Sequence, residues 1–199
     1  MGLSIFYSGT LRDVAHLSAL IDEVTDICDD LQWPWHVFQT TVELPLKGIS
    51  FYPPGSQEVY LTFLPDGRLA EPNALFNLYS MSYELPVAGK DITLNPIIQD
   101  AGPEAHMRLI HLLRHLSVTY FPNFELTDES EFWETGDEQK CRDWFSMFEV
   151  WMDNMSADLG KIDARGYEGG RSYYNRLQEA LMSGKSMDDI ISVMVNPYK

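Results

Sequence analysis

The chain has 199 residues, 14 of them Lys or Arg and 30 Asp or Glu, for a net charge of −16. That field repels phosphate backbones and anionic membrane surfaces, so neither nucleic acid nor membrane is an expected partner. Apolar residues make up 45% and charged residues 22%, which excludes wholesale disorder. A chain of this size buries roughly 70% of its unfolded surface and folds without disulfides or structural metal.

Residues 3–8 alternate and are rich in β-formers, which predicts a first strand. Thr10-Leu11-Arg12-Asp13 reads as a capping box opening a helix to about Leu31, with Val14, Leu17, Leu20, Ile21, Val24, Ile27 and Leu31 on its apolar face. Trp33–Phe38 starts a second strand, with Pro34 at its first residues or edge. Leu46–Tyr52 and Glu58–Leu64 follow as strands around the turn Pro53–Ser56, and Pro65-Asp66-Gly67 marks another turn. Leu75–Tyr83 is a further strand, and Ile92–Ile98 a shorter one that Pro96 weakens.

The second half reads as mostly helical. Gly102-Pro103 opens a helix to about Thr119, and Tyr120–Leu126 returns as a strand. Thr135-x-x-Glu138 is a second capping box, opening a long helix that ends near Asp158 at Gly160. Ser172 and Ser186 cap two shorter helices separated by Gly184. Strand, helix, consecutive strands and then helices define an α+β fold, a predominantly antiparallel sheet with helices on one face and a helical C-terminal part. The expectation is a single domain over 1–199, with 171–199 as a candidate helical appendage after the glycine-rich 160–170 stretch.

Several motifs fail on inspection. No C-x-x-C, G-x-G-x-x-G or G-x-S-x-G occurs, and Gly184-Lys185-Ser186 lacks the glycine and the strand a phosphate loop needs. Cys28 and Cys141 fall on apolar helix faces and read as buried hydrophobes. There is no basic-then-apolar leader and no apolar run near 18 residues, so a cytoplasmic protein is expected.

Two constellations could carry function. His111 and His115 sit four apart on one helix face, the spacing that lets two imidazoles ligate one metal. Leu112, Leu113 and Arg114 stand between them, so the catalytic glutamate of that motif is missing. His106 lies about 140° round the helix from His111 and does not join the pair. The second constellation is 128–138, which carries Asp128, Glu129, Glu131, Glu134, Asp137 and Glu138 with no basic residue and encloses Phe132 and Trp133. Its ligand positions do not fit a calcium loop. Aromatics ringed by charge suit an interface, so Glu131, Phe132, Trp133 and Glu134 are the candidate binding residues.

The leading expectation is therefore a non-catalytic interaction module, adaptor-like or immunity-like, whose acidic field steers it to a basic protein partner. The alternative is a metal-assisted hydrolase using His111 and His115 with nearby carboxylates. No cofactor is expected. Trp144, Phe148 and Trp151 share one helix face, which serves either the core or a homodimer contact.

Overall fold

The computed structural model describes residues 3–39, 45–72 and 92–163, with side chains to residue 154. Strand β1 (Ile5–Thr10) leads through a one-turn 3-10 helix to α1 (Leu17–Leu31). Then come β2 (Trp35–Phe38), β3 (Lys47–Phe51) and β4 (Val59–Phe63). The second half holds α2 (Gly102–Tyr120), β5 (Asn123–Asp128), the one-turn α3 (Phe132–Thr135) and the long α4 (Glu138–Asp163). Helices and antiparallel sheets together make the expected α+β fold. The expected strand Leu75–Tyr83 and the helices after Ser172 and Ser186 lie outside the described residues.

Two antiparallel sheets form among the described residues. β2, β3 and β4 make a meander, with Phe51 of β3 opposite Trp35 on one side and Val59 on the other. β1 pairs with β5, from Ile5↔Asp128 to Thr10↔Asn123. The other edge of β1 is met by the 94–98 segment, where Tyr7 and Leu94 exchange backbone hydrogen bonds of 2.9 and 2.8 Å. That segment was expected as a strand. Only isolated bridges at Leu94 and Ile97 form, because Pro96 brings no N–H to a ladder. Leu69 ties the two sheets together, bridging to Phe63 and donating to the Gly9 carbonyl at 2.9 Å.

The apolar face of α1 buries Leu17, Leu20, Ile21, Val24 and Cys28, and the helix packs on β2 and β3. Trp33, just past the helix, stacks on Phe51 at 5.9 Å between ring centres. At α1's end Gln32 takes φ +57°, and its N–H caps the Cys28 and Asp29 carbonyls. A left-handed residue here favours glycine. Gln32→Gly should therefore stabilise the fold by about 0.5 kcal/mol, relief of the side-chain clash outweighing glycine's larger unfolded entropy. A urea midpoint that falls instead would show that the Gln32 side chain contributes more than its backbone strain removes.

Both capping boxes resolve differently from their sequence reading. Thr10 stays in the β1 ladder opposite Asn123, so Asp13 alone caps the turn, its Oδ1 accepting from the Ala15 N–H at 2.8 Å. Thr135 closes α3, and Asp137 caps α4 by accepting from the N–H groups of Gln139 and Lys140, both at 3.0 Å. α2 runs on to Tyr120, so its following strand begins at Asn123 rather than at Tyr120. α4 passes through Gly160 to Asp163, since a glycine inside a helix costs only about 1 kcal/mol and does not by itself stop one.

The chain divides into two compact units, Met1–Ser146 and Met147–Lys199, with the boundary inside α4. In the first unit Cys28 and Cys141 are both buried and free, and no disulfide joins them. Burial pushes the Cys28 thiol up to about 12. In the second unit the Phe148 and Trp151 rings meet at 5.5 Å, and Met147 and Val150 are exposed. No helix among the described residues is long and apolar enough to cross a membrane.

Candidate functional site: an acidic turn over a buried carboxylate

The acidic–aromatic segment leaves β5 and turns back on itself around Asp128. This carboxylate is 3% exposed and gathers its donors from three directions. Its Oδ1 accepts from the Ser130 N–H at 2.9 Å, and the Ser130 hydroxyl lies 2.9 and 3.0 Å from its two oxygens. Its Oδ2 accepts from the Trp133 N–H at 3.0 Å and faces Nε2 of His106 at 3.1 Å. Burial by itself would raise the Asp128 carboxyl. The His106 contact and the two backbone donors outweigh burial and hold the carboxyl below its ordinary value.

His106 comes from the first turns of α2 and is 1% exposed, its ring tilted against Phe145 at 5.4 Å. A carboxylate faces its Nε2, which therefore carries a proton. Nδ1 is left as a buried nitrogen with no partner among the described residues. The Ser130 hydroxyl also lies 2.9 Å from the same Nε2 and bonds Cys141, whose thiol is raised chiefly by burial. Ser, His and Asp thus meet, but not as a relay. Serine and aspartate share one ring nitrogen, so the carboxylate does not stand behind the imidazole to activate the hydroxyl. With all three groups buried, the cluster is a lock that fixes the turn.

The lock sets the candidate residues. Glu131 sits at φ +58°, a left-handed conformation for a non-glycine residue, and its carboxylate pairs with Lys140. Phe132 is 1% exposed, its face met edge-on by His111 at 5.4 Å between ring centres. It is an inward packing anchor, and its ring offers little to a partner. Trp133 is half-buried against Phe124 at 6.0 Å, with the Arg114 guanidinium 5.4 Å from its ring centre. Arg114 also donates to the carbonyls of Phe132 and Trp133, at 3.3 and 2.7 Å. This clamp from α2 holds the one-turn α3 in place, and Glu134, Asp137 and Glu138 remain exposed around it.

The two histidines of the i, i+4 pair make separate contacts. His111 spends its ring on Phe132, while His115 Nε2 lies 2.6 Å from Glu23 of α1. Glu23 also accepts from the Tyr120 hydroxyl at 2.5 Å, and that hydrogen bond leads the causes that hold its carboxyl below the usual range. These contacts clamp α1 to α2. No group of three or more His, Cys, Asp or Glu that could hold a metal ion occurs among the described residues.

Sequence reading missed the Asp128 lock. A usable signal existed: His106 falls in register with Leu109, Leu113 and Leu116, on the buried stripe of α2. A buried histidine calls for a polar partner, and Asp128-x-Ser130 offers a side chain able to cap its own turn. The chain matches no family model, no curated protein and no solved structure.

Proposed function

We propose that the protein is a non-catalytic interaction module of the cytoplasm that docks a basic partner through the acidic rim around Trp133. The observation that carries this reading is the turn itself. Exposed Glu131, Glu134, Asp137 and Glu138 surround a half-buried tryptophan, on a backbone pinned by Asp128 beneath and Arg114 beside it. A pre-ordered aromatic anchor in a charged rim loses little freedom on binding, and the rim's charge speeds encounter with a cationic surface. Two buried free thiols suit a reducing compartment.

The test is native mass spectrometry of the protein isolated from its own host, beside a Trp133→Ala/Glu134→Lys variant. The expected result is a stoichiometric basic protein on the wild type that is lost from the variant, with the far-ultraviolet circular dichroism unchanged. Equal retention by a folded variant would end the reading. If the double change unfolds the chain, Glu134→Lys alone provides the comparison, because Glu134 is exposed.

A further inference from the structure

The face of the β2–β3–β4 sheet opposite α1 carries a second, separate arrangement. Register places His36, Ser50 and Tyr60 in one row across the strands, and Phe38, Gly48 and Thr62 in the next. Gly48 supplies no side chain between its neighbours, and the Phe38 ring meets Tyr60 at 6.1 Å, edge to face. His36 stands against Phe38 at 4.9 Å in the same manner. At the end of this wall is Glu58. Its carboxylate accepts from the Ser50 hydroxyl at 2.5 Å and the Tyr60 hydroxyl at 2.6 Å, and Tyr52 adds a third hydroxyl.

A carboxylate accepts about four hydrogen bonds, so one direction remains after three hydroxyls are placed. Those hydroxyls fix the anion in position while leaving it half-buried rather than sealed, and Tyr52 and His36 beside it are exposed. Glu71 adds a further negative charge acting on Tyr60. A held carboxylate next to aromatic faces offers what an alkylammonium group needs: a counter-charge, one open acceptor and rings for the cation.

We infer that this sheet face receives a lysine side chain of a partner polypeptide, its ammonium on Glu58 and its alkyl stem along Phe38 and Tyr60. The wall is built of two neighbouring rows, Phe38 from one and Tyr60 from the other, beside a single carboxylate, which fits one extended cationic side chain. This inference does not depend on the Trp133 surface.

The test is an NMR titration of the full chain with a glycine-flanked single-lysine peptide, and with the same peptide acetylated at Nε. The expected result is saturable shifts of the His36, Phe38 and Tyr60 amides with the free lysine only, and at least a tenfold weakening in Glu58→Gln. Equal shifts with the acetylated peptide would overturn the inference, as would undiminished binding by Glu58→Gln. Shifts that centre on the acidic residues of α1 (Asp22, Asp26, Asp29 and Asp30) would also overturn it, since they would mean plain charge attraction. If Glu58→Gln loses its fold, Phe38→Ala decides: it keeps the carboxylate, removes the wall and is expected to weaken binding, and unchanged binding there counts against the inference.

Discussion

Replacing Asp128 with alanine is expected to lower stability by about 3–5 kcal/mol. The change strips the Ser130 and Trp133 N–H groups, the Ser130 hydroxyl and the buried His106 ring of their shared acceptor at once. Asp128→Asn, nearly the same shape, keeps one acceptor oxygen but sets an amide N–H₂ against donors, and should recover only part of the loss. The sign with pH follows from the carboxyl being held below its ordinary value in the folded chain. Its contribution is complete above the unfolded value of about 4 and is lost as pH falls through the lower folded value. Urea unfolding of wild type and Asp128→Asn should therefore show a gap that is full at neutral pH and closes in strong acid. A gap of the same size at both ends would mean that the ionised carboxylate is not what holds the turn.

Gly48→Ala should be comparably severe, for an unrelated reason. A Cβ at this position of β3 would meet the Leu61 carbonyl oxygen at 2.1 Å and the Thr62 Cα at 2.7 Å. Both are backbone atoms of the strand it pairs with, so no side-chain rotation relieves the overlap. Either β3 and β4 separate or their register slips, and a slip of one residue would turn Ile49 and Phe51 away from the core. A loss above about 4 kcal/mol is expected, read as a urea midpoint shift or a failure to accumulate folded protein. Gly102→Ala is the matched control: at φ +76° and ψ +165° nothing lies within 4 Å of the added carbon, so only backbone strain of about 1–3 kcal/mol is expected. Equal losses at the two positions would refute the steric account.

The elements that could be read from sequence are those whose determinants are local. α1 declares itself through Leu17, Leu20, Ile21 and Val24, three and four apart, and β4 through the alternation of Val59, Leu61 and Phe63. Gly102-Pro103 marks the start of α2 within a residue. What escaped is set by distant partners. Pairing with Asn123 kept Thr10 in a strand, and His106 meets Asp128 across 22 positions. Phe132 shows the same limit at the candidate site. Glu131 and Glu134 bracket it and Trp133 in sequence, which suggests a surface, but the αL turn at Glu131 directs its ring inward toward His111 of α2. Trp133, the next residue, is half-buried against Phe124 and the Arg114 guanidinium.

The placement of β1 between partners from far along the chain has a consequence for biosynthesis. Its residues leave the ribosome before those of its main partners, since one edge waits for Leu94 and Ile97 and the other for Asn123–Asp128. The β2–β3–β4 meander and α1 involve only close neighbours in sequence and can associate long before that. During translation β1 is therefore a strand held at its Gly9–Thr10 end by Arg68 and Leu69, with its strand-pairing edges otherwise open until Leu94 and then Asn123–Asp128 are made. Closing loops of that length is slow relative to forming the meander, so β1 docking is the step at which translation speed and chaperone contact act on this protein.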